Sequence, residues 1–260
     1  MTLYAAYERD VAQALGRVAP STLVTEMDLA HLPTTIQRYL RVCGVIGQPR
    51  VHDMRARLHG RIRSGPSSRW MPIAAEQYNV FDEPARFFYL KASMFGIPVR
   101  GYHRYAGAAA TMRVNAAGLV RVADVSGPEM NQGETVTMFN DMCIMAPATL
   151  ISPAIAWTHA DDRTARVAFT NAGQTIRAEL VFNEAGELID FRSDDRYQTS
   201  PDGKSVKRVH WSTPLGSYRS FGNVSLASGG EARWHEADNG HGEYAYIELA
   251  FDTIEYNVRS

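Results

Sequence analysis

The chain has 260 residues, of which 45% are hydrophobic and 21% charged, and its net charge is −1. This balance is typical of a soluble globular protein and indicates no nucleic-acid partner. No stretch approaches the roughly 20 consecutive apolar residues that a membrane helix needs, so no stable membrane insertion is expected. Glu8, Arg9 and Asp10 stand where a signal peptide would keep its apolar core, so we expect no export signal and a cytoplasmic protein.

Cys43 and Cys143 are the only cysteines, and they lie far apart in the sequence. Both occur in apolar helical patterns, which predicts two buried, unpaired thiols. The sequence contains no CxxC, HExxH, GxGxxG, GxxxxGK or GxSxG motif. The histidines show no metal-ligand spacing, so neither a metal site nor a cofactor is expected.

Two helices are predicted near the N-terminus. Residues 2–16 form an amphipathic pattern. Residues 33–43, PTTIQRYLRVC, begin with Pro33 and place Ile36 and Leu40 at helical spacing.

From about residue 52 the hydrophobic period changes to two, which is typical of a half-buried antiparallel strand. In MRARLHGRIRS the alternation predicts that one face is buried and carries Ala56, Leu58 and Ile62. The other face is predicted to be exposed and carries Arg57, Arg61 and Arg63.

Further strands follow, interrupted once by a helical pattern at residues 133–151. We interpret the chain as a single domain, 1–260, with a helical N-terminal segment at 1–45 and antiparallel sheet at 52–127 and 153–258. The predicted fold is mainly β (α+β): one large curved antiparallel sheet forms a half-barrel or open barrel, and the inserted helix covers its concave side. A sheet this long must curl, and curling encloses a space.

The strings TIQRYLRVCGVIGQPRV, WMPIAAEQYNVF, GPEMNQGE and the closing IEYNV resemble a bacterial family known only as a domain of unknown function. The resemblance runs from about residue 30 to the end and implies no reaction. The strand–helix–strand pattern is also similar to the half-barrels of periplasmic lipoprotein carriers and mycobacterial lipid-binding lipoproteins. That similarity implies a space for acyl chains between sheet and helices, although this chain shows no lipidated cysteine.

Several polar residues fall on faces that are otherwise apolar. Gln77 shares a strand face with Ile73 and Ala75, so it is either a ligand contact or a bonded core amide. His103 and Tyr105 alternate on another strand and would point an imidazole and a phenol into the enclosed space, unless the histidine is structural.

Asn140 and Asp141 interrupt the apolar helical pattern around Phe139 and Met142. A carboxylate buried there would have a raised pKa and could act as a general base. Alternatively, Asp141 accepts hydrogen bonds from Arg196 or from strand amides and fixes the helix to the sheet.

The stretch SDDRYQ is the other dense polar segment. Alternation after Phe191 and Ser193 predicts that Asp195 and Tyr197 face inward and that Arg196 faces outward or pairs with an acid of a neighbouring strand. Adjacent acids also occur at strand ends, where they only solvate a turn.

These patterns predict a protein that binds a hydrophobic or aromatic small molecule, with cofactor-independent acid–base catalysis of a lyase, isomerase or cyclase type. The candidate catalytic residues are His103, Asp141, Asp195 and Tyr197, and the candidate ligand-binding residues are Gln77, Tyr105, Asn140 and Trp211. His103, Asp195 and Tyr197 are the favoured partners of the Asn140–Asp141 pair. The alternatives are a non-catalytic carrier of lipids or hydrophobic ligands and a plain structural domain.

Overall fold

The structure is a computed structural model that describes residues 2–15, 22–117, 120–199, 205–236 and 242–258. The helices are α1 Leu3–Ala14, α2 Glu26–Leu29, α3 Thr34–Val42 and α4 Pro128–Met145, followed by a 3₁₀ helix at Pro147–Ile151. The strands before α4 are β1 Asp53–Ile62, β2 Met71–Val80, β3 Ala85–Met94, β4 Ile97–Ala106, β5 Ala109–Ala116 and β6 Val120–Ser126. The strands after it are β7 Ile155–Ala160, β8 Thr164–Asn171, β9 Gln174–Phe182, β10 Leu188–Ser193, β11 Tyr197–Thr199, β12 Val206–Arg208, β13 His210–Ser212, β14 Tyr218–Phe221, β15 Val224–Ala227, β16 Gly229–Glu236 and β17 Gly242–Tyr256.

Thirteen strands form one curved antiparallel sheet in the order β6-β5-β4-β3-β2-β1-β17-β16-β13-β10-β9-β8-β7. The first and last strands of the chain, β1 and β17, pair at its centre. The sheet is not closed, since β6 and β7 stand at opposite ends of this order. The predicted fold class, a mainly β half-barrel with an inserted helix, is therefore confirmed.

Helix α4 connects the two ends of the sheet and is packed between them. Phe139 stacks on Phe169 of β8 with ring centroids 5.1 Å apart. On the other arm of the sheet, the hydroxyl of Tyr105 in β4 lies 2.8 Å from the hydroxyl of Thr135. Because the sheet curves around α4, the helix is buried on nearly all sides. Its apolar residues are therefore not confined to a stripe along one side of the helix.

The N-terminal helices lie on different faces of the sheet. Helix α1 packs on the outer face of β2–β4, where Tyr7 stacks on Tyr89 at 5.7 Å. Helix α3 joins the main core, and its Tyr39 hydroxyl donates to the Cys143 carbonyl over 2.7 Å. Both predicted helices are present with shorter bounds, and residue 16 lies outside the described residues.

The alternation predicted for β1 is confirmed at most positions. Ala56 and Leu58 are buried, and Arg57 and Arg61 are exposed. Two positions near the end of the strand differ, because Ile62 and Arg63 are both half-buried. The Arg63 guanidinium donates to the carbonyls of Ala245 in β17 and of Pro66 in the loop after β1, each at 2.7 Å. These two hydrogen bonds keep part of the side chain out of solvent.

Cys43 and Cys143 are both buried and unpaired, as predicted. Burial raises the pKa of the Cys43 thiol to about 12 and also raises that of Cys143. Neither side chain reaches solvent, so both are inert in the folded protein.

We expect a thiol reagent at about pH 8 to modify neither cysteine in the native protein and both in denaturant. Because the folded pKa of Cys43 lies above its ordinary value of 9.0, the protonated thiol stabilises the fold fully below pH 9, and this stabilisation is lost as the pH rises towards about 12. Titration of free thiols with and without denaturant checks the expected lack of reactivity in the native protein. Rapid labelling of one thiol in the native state would contradict it.

Two glycines allow close approach of backbones at the centre of the sheet. A Cβ at Gly60 would lie 1.9 Å from the Glu248 carbonyl oxygen, and a Cβ at Gly229 would lie 2.2 Å from that of Leu249. Both glycines face β17, at consecutive positions of that strand. The tight curl of the sheet at this point thus requires residues without a side chain.

Gly60→Ala should lower the free energy of unfolding by about 1–3 kcal/mol, because the backbone must shift to admit the methyl group. Gly65→Ala is the matched control, since a Cβ there meets only the Ser68 hydroxyl at 3.6 Å. Urea unfolding of both variants measures the difference. Equal stabilities would show that the approach at Gly60 is not required.

Candidate functional site

A cavity of about 270 Å³ lies between α4 and the concave face of the sheet. Most of its wall is aliphatic or aromatic: Leu58, Ile62, Phe88, Leu90, Met112, Ile144, Met145, Trp211, Leu215, Ala232, Tyr246, Ile247, Leu249 and Phe251. Its polar lining comprises Gln77, Arg86, His103, Glu134, Thr137, Asn140, Asp141, Arg196, Thr213 and Glu231. A largely apolar wall with a few convergent polar groups is typical of a small-molecule site.

Arg86, in β3, is the central charge of the polar region, and its side chain is only 9% exposed. Its Nε donates to Asp141 Oδ2 over 2.8 Å, and its Nη1 donates to Glu134 Oε2 over 3.2 Å. Its Nη2 donates to Gln77 Oε1 over 3.2 Å. Burial alone would lower the pKa of Arg86, but the neighbouring Asp141 and Glu134 carboxylates raise it, so the guanidinium stays charged.

Asp141 accepts two further hydrogen bonds at the same oxygen, from Gln77 Nε2 at 2.7 Å and from Asn79 Nδ2 at 3.0 Å. Both amides belong to β2 and lie opposite α4. Burial raises the pKa of Asp141, although Arg86 and the Asn79 amide oppose the shift. These contacts fix the helix to the sheet through one carboxylate oxygen.

Glu134 lies about two turns before Asp141 on the same face of α4. Burial alone would raise the pKa of Glu134, but the neighbouring His103 imidazole and the charges of Arg86 and Arg196 lower it overall. The His103 Nδ1 lies 3.8 Å from Glu134 Oε1. Glu134 is therefore a carboxylate held between two arginines and an imidazole.

Arg196 closes the other side of this polar region. Its Nη1 donates to the Gly133 carbonyl over 2.6 Å and to the Thr137 hydroxyl, and lies 3.5 Å from Glu134 Oε1. Its guanidinium stacks over the Trp211 ring at 4.8 Å. A cation–π contact of this kind offsets part of the cost of burying the charge.

Two polar atoms of α4 at the cavity wall are left without a partner among the described residues, and the Nε of Arg196 is a further unpartnered atom that is itself fully buried. Asn140 accepts from the Thr213 hydroxyl over 2.8 Å at Oδ1, while the structure gives its Nδ2 no acceptor. All three donors to Asp141 meet Oδ2, so Oδ1 also has no partner within the described chain. A molecule in the cavity can thus meet one free donor and one free acceptor.

The structure brings five of the eight residues predicted from the sequence to the cavity wall: Gln77, His103, Asn140, Asp141 and Trp211. The favoured partners predicted for Asp141, namely His103, Asp195 and Tyr197, were wrong, because its contacts are Gln77, Asn79 and Arg86. These contacts agree with the alternative that Asp141 fixes the helix to the sheet, although not through Arg196. Tyr105 is fully buried but does not line the cavity. Its hydroxyl meets Thr135 and accepts from Asn171 Nδ2 at 2.7 Å, so it ties α4 to both arms of the sheet.

The inward orientation predicted for Asp195 and Tyr197 was also wrong. Asp195 lies in a groove outside this cavity, where it accepts from the Arg177 backbone amide over 2.7 Å and pairs with Arg208. Tyr197 does not line the cavity either. The alternation fails because β10 ends at Ser193 and β11, which begins at Tyr197, belongs to a separate two-stranded sheet. Arg196, predicted to face outward, lines the cavity instead.

Arg86 and Glu134 were not recognised from the sequence as part of the site, and Arg196 was considered only as an alternative partner of Asp141. Arg86 gave a usable signal, since it follows Ala85 and precedes Phe87 and Phe88 in a strand otherwise rich in buried residues. A buried arginine requires a carboxylate partner.

Among the described residues, no group of histidine, cysteine and acidic side chains could hold a metal ion. No helix in the described ranges is long and apolar enough to cross a membrane.

The sequence matches a family of unknown function, DUF6544, over residues 22–249. The chain belongs to this family. The resemblance predicted from the sequence is thereby confirmed. No curated protein matches the chain.

Two solved structures are similar in fold to this member of the DUF6544 family. One is described as an outer membrane lipoprotein-sorting protein domain from Vibrio parahaemolyticus, with 8% identity, a TM-score of 0.44, and coverage of 79% of this chain and 86% of that one. The other is a DUF1329 family protein from Desulfovibrio piger, with 8% identity, a TM-score of 0.45, and coverage of 91% and 95%. At these scores, neither likeness bears on what this chain binds or does.

Arg86→Met should lower the free energy of unfolding by about 3–5 kcal/mol, because Asp141 would remain buried without its cation and Glu134 would keep only Arg196. Arg121→Met is the matched control: Arg121 also pairs with an aspartate, Asp124, but its side chain is 67% exposed. That change should cost less than about 1 kcal/mol. Chemical unfolding of the two variants makes the comparison, and similar losses would contradict the role given to Arg86.

Proposed function

We propose that this protein binds a hydrophobic small molecule in the cavity under α4 and acts as a non-catalytic carrier. The observation that carries the proposal is the wall itself, which is apolar over most of its area and charged only where the charges neutralise one another. A carrier needs an apolar chamber and a fixed polar end, and it does not need a free nucleophile or a free base.

The size of the cavity supports a small ligand. An engineered apolar cavity of about 150 Å³ in another protein holds one benzene molecule. A cavity of about 270 Å³ therefore accommodates a bicyclic ring system or a medium-length alkyl chain. Ile62, Leu90 and Ile247 line it and are themselves only half-buried, so part of the apolar wall lies near the protein surface.

The arrangement of titratable groups favours carriage over catalysis. The acid–base set predicted from the sequence is not assembled, because Asp195 and Tyr197 lie away from the cavity. Arg86 engages the Asp141 Oδ2 atom and both arginines approach Glu134, so these groups already serve to hold α4 on the sheet.

One observation favours a second candidate, the cofactor-independent acid–base enzyme. His103 and the unpartnered Oδ1 of Asp141 belong to the same cavity wall, and an imidazole and a carboxylate can move a proton between them through a substrate. Mass spectrometry separates the two functions. A ligand that co-purifies and is recovered unaltered after long incubation supports a carrier, whereas steady conversion of that ligand supports an enzyme.

The cytoplasmic location stays a prediction from the sequence.

Ala232→Phe tests the binding proposal, because the added ring occupies the cavity beside β16. N-phenyl-1-naphthylamine, an uncharged probe that fluoresces in apolar surroundings, should bind saturably to the native protein and at least about tenfold more weakly to this variant. Ala74→Phe is the matched control, since Ala74 is exposed on the outer face of β2. Thermal unfolding confirms that both variants are folded. Equal probe affinity in the native protein and Ala232→Phe would place the binding elsewhere.

A further inference from the structure

We propose that the ligand of this cavity has an uncharged polar head that both donates and accepts hydrogen bonds, such as a hydroxyl or a primary amide, attached to an apolar body. The inference rests on the proposed function, because it describes what the same cavity selects. It follows from the charges and the unpartnered atoms at the polar end.

The fixed charges of the polar end cancel. Two guanidinium groups, Arg86 and Arg196, face two carboxylates, Glu134 and Asp141. Glu231 also lines the cavity, but its carboxylate lies at the rim, where it and Glu243 both pair with Arg233. His103 adds a charge only when it is protonated.

A charged head group would break this balance. A carboxylate or phosphate would bring a third negative charge to a site where two arginines already face two carboxylates, and an amine would bring a positive charge beside two arginines. A buried charge without a partner costs several kcal/mol. The site therefore selects against both kinds of ion.

The two unpartnered atoms describe the preferred head group more closely. Asn140 Nδ2 can donate to the ligand, and Asp141 Oδ1 can accept from it. A hydroxyl or a primary amide can both accept from the first atom and donate to the second, whereas an ether or ester oxygen can only accept. The remaining wall beyond these residues is apolar and receives the body of the molecule.

Four eight-carbon compounds that differ only in the head group test the inference: 1-octanol, octanamide, octanoic acid and octylamine. At about pH 8 the acid is an anion, the amine is a cation, and the other two are uncharged. Each is measured by displacement of N-phenyl-1-naphthylamine from the native protein. Octanol and octanamide should displace the probe at concentrations at least about tenfold lower than the two ions.

Asp141→Asn should weaken the preference for an uncharged head group over an anion, because it leaves the cavity with one excess positive charge. The affinity ratio of octanol to octanoate should fall at least about tenfold in this variant. Asp124→Asn is the matched control, since the same change on the exposed surface should leave the ratio unaltered. If Asp141→Asn does not fold, Glu134→Gln makes the same change of charge on the neighbouring carboxylate.

The outcomes distinguish the two proposals. If none of the compounds displaces the probe, or the probe itself does not bind, the proposed function fails. If octanoate or octylamine binds the native protein as tightly as octanol, the cavity is a binding site but the inference about its head group is overturned. An unchanged ratio in the folded Asp141→Asn variant also overturns it.

Discussion

The guanidinium of Arg86 is buried away from water, and the arrangement of the site depends on that charge. A cation inside a protein must be matched by carboxylates with good hydrogen-bond geometry, since the cost of desolvation is otherwise prohibitive. Arg86 meets this requirement with two acids from one helix, Glu134 and Asp141, and with the Gln77 amide from the neighbouring strand. The position of α4 over the sheet follows from these contacts.

Fixing α4 in this way leaves space beneath it. The aromatic contacts of Phe139 and the hydrogen bonds of Tyr105 hold the helix to the two arms of the sheet. Between these anchors, side chains from β1, β16 and β17 face the helix without filling the interval, and the cavity results. Its polar end is where the ion pairs are, and its apolar end is the inner face of the central strands. The same interaction that stabilises the fold therefore gives the chamber its polarity.

Much of the fold could be predicted from local sequence patterns, because the period of two and the helical period are set by local geometry. The buried positions Ala56 and Leu58, the interposed helix and the curved antiparallel sheet were all predicted in this way. The site could be predicted only in part. The polar interruption at Asn140 and Asp141 correctly marked the helix face that meets the cavity. Their partners lie in distant strands, however, and alternation within one strand does not reveal which strands meet the helix.

The errors have specific physical causes. Alternation was extended from Phe191 to Tyr197 across the end of β10, where the chain leaves the large sheet, so the faces assigned to Asp195 and Arg196 were reversed. Tyr105 was correctly placed on the inner face of its strand, but its hydroxyl is hydrogen-bonded to Thr135 and Asn171. It makes no contribution to the cavity wall. Long-range packing decides such cases, and it cannot be derived from residue spacing alone.

A double-mutant cycle between Arg86 and Asp141 measures whether this ion pair fixes α4 on the sheet. The free energy of unfolding is measured for the native protein, Arg86→Met, Asp141→Leu and the double variant. We expect a coupling energy of about 2 kcal/mol or more, with the double variant more stable than Arg86→Met alone, because the apolar pair leaves one fewer unpaired charge. A coupling energy within about 0.5 kcal/mol of zero would contradict it. Such a result would mean that the position of α4, and with it the cavity, does not depend on this ion pair.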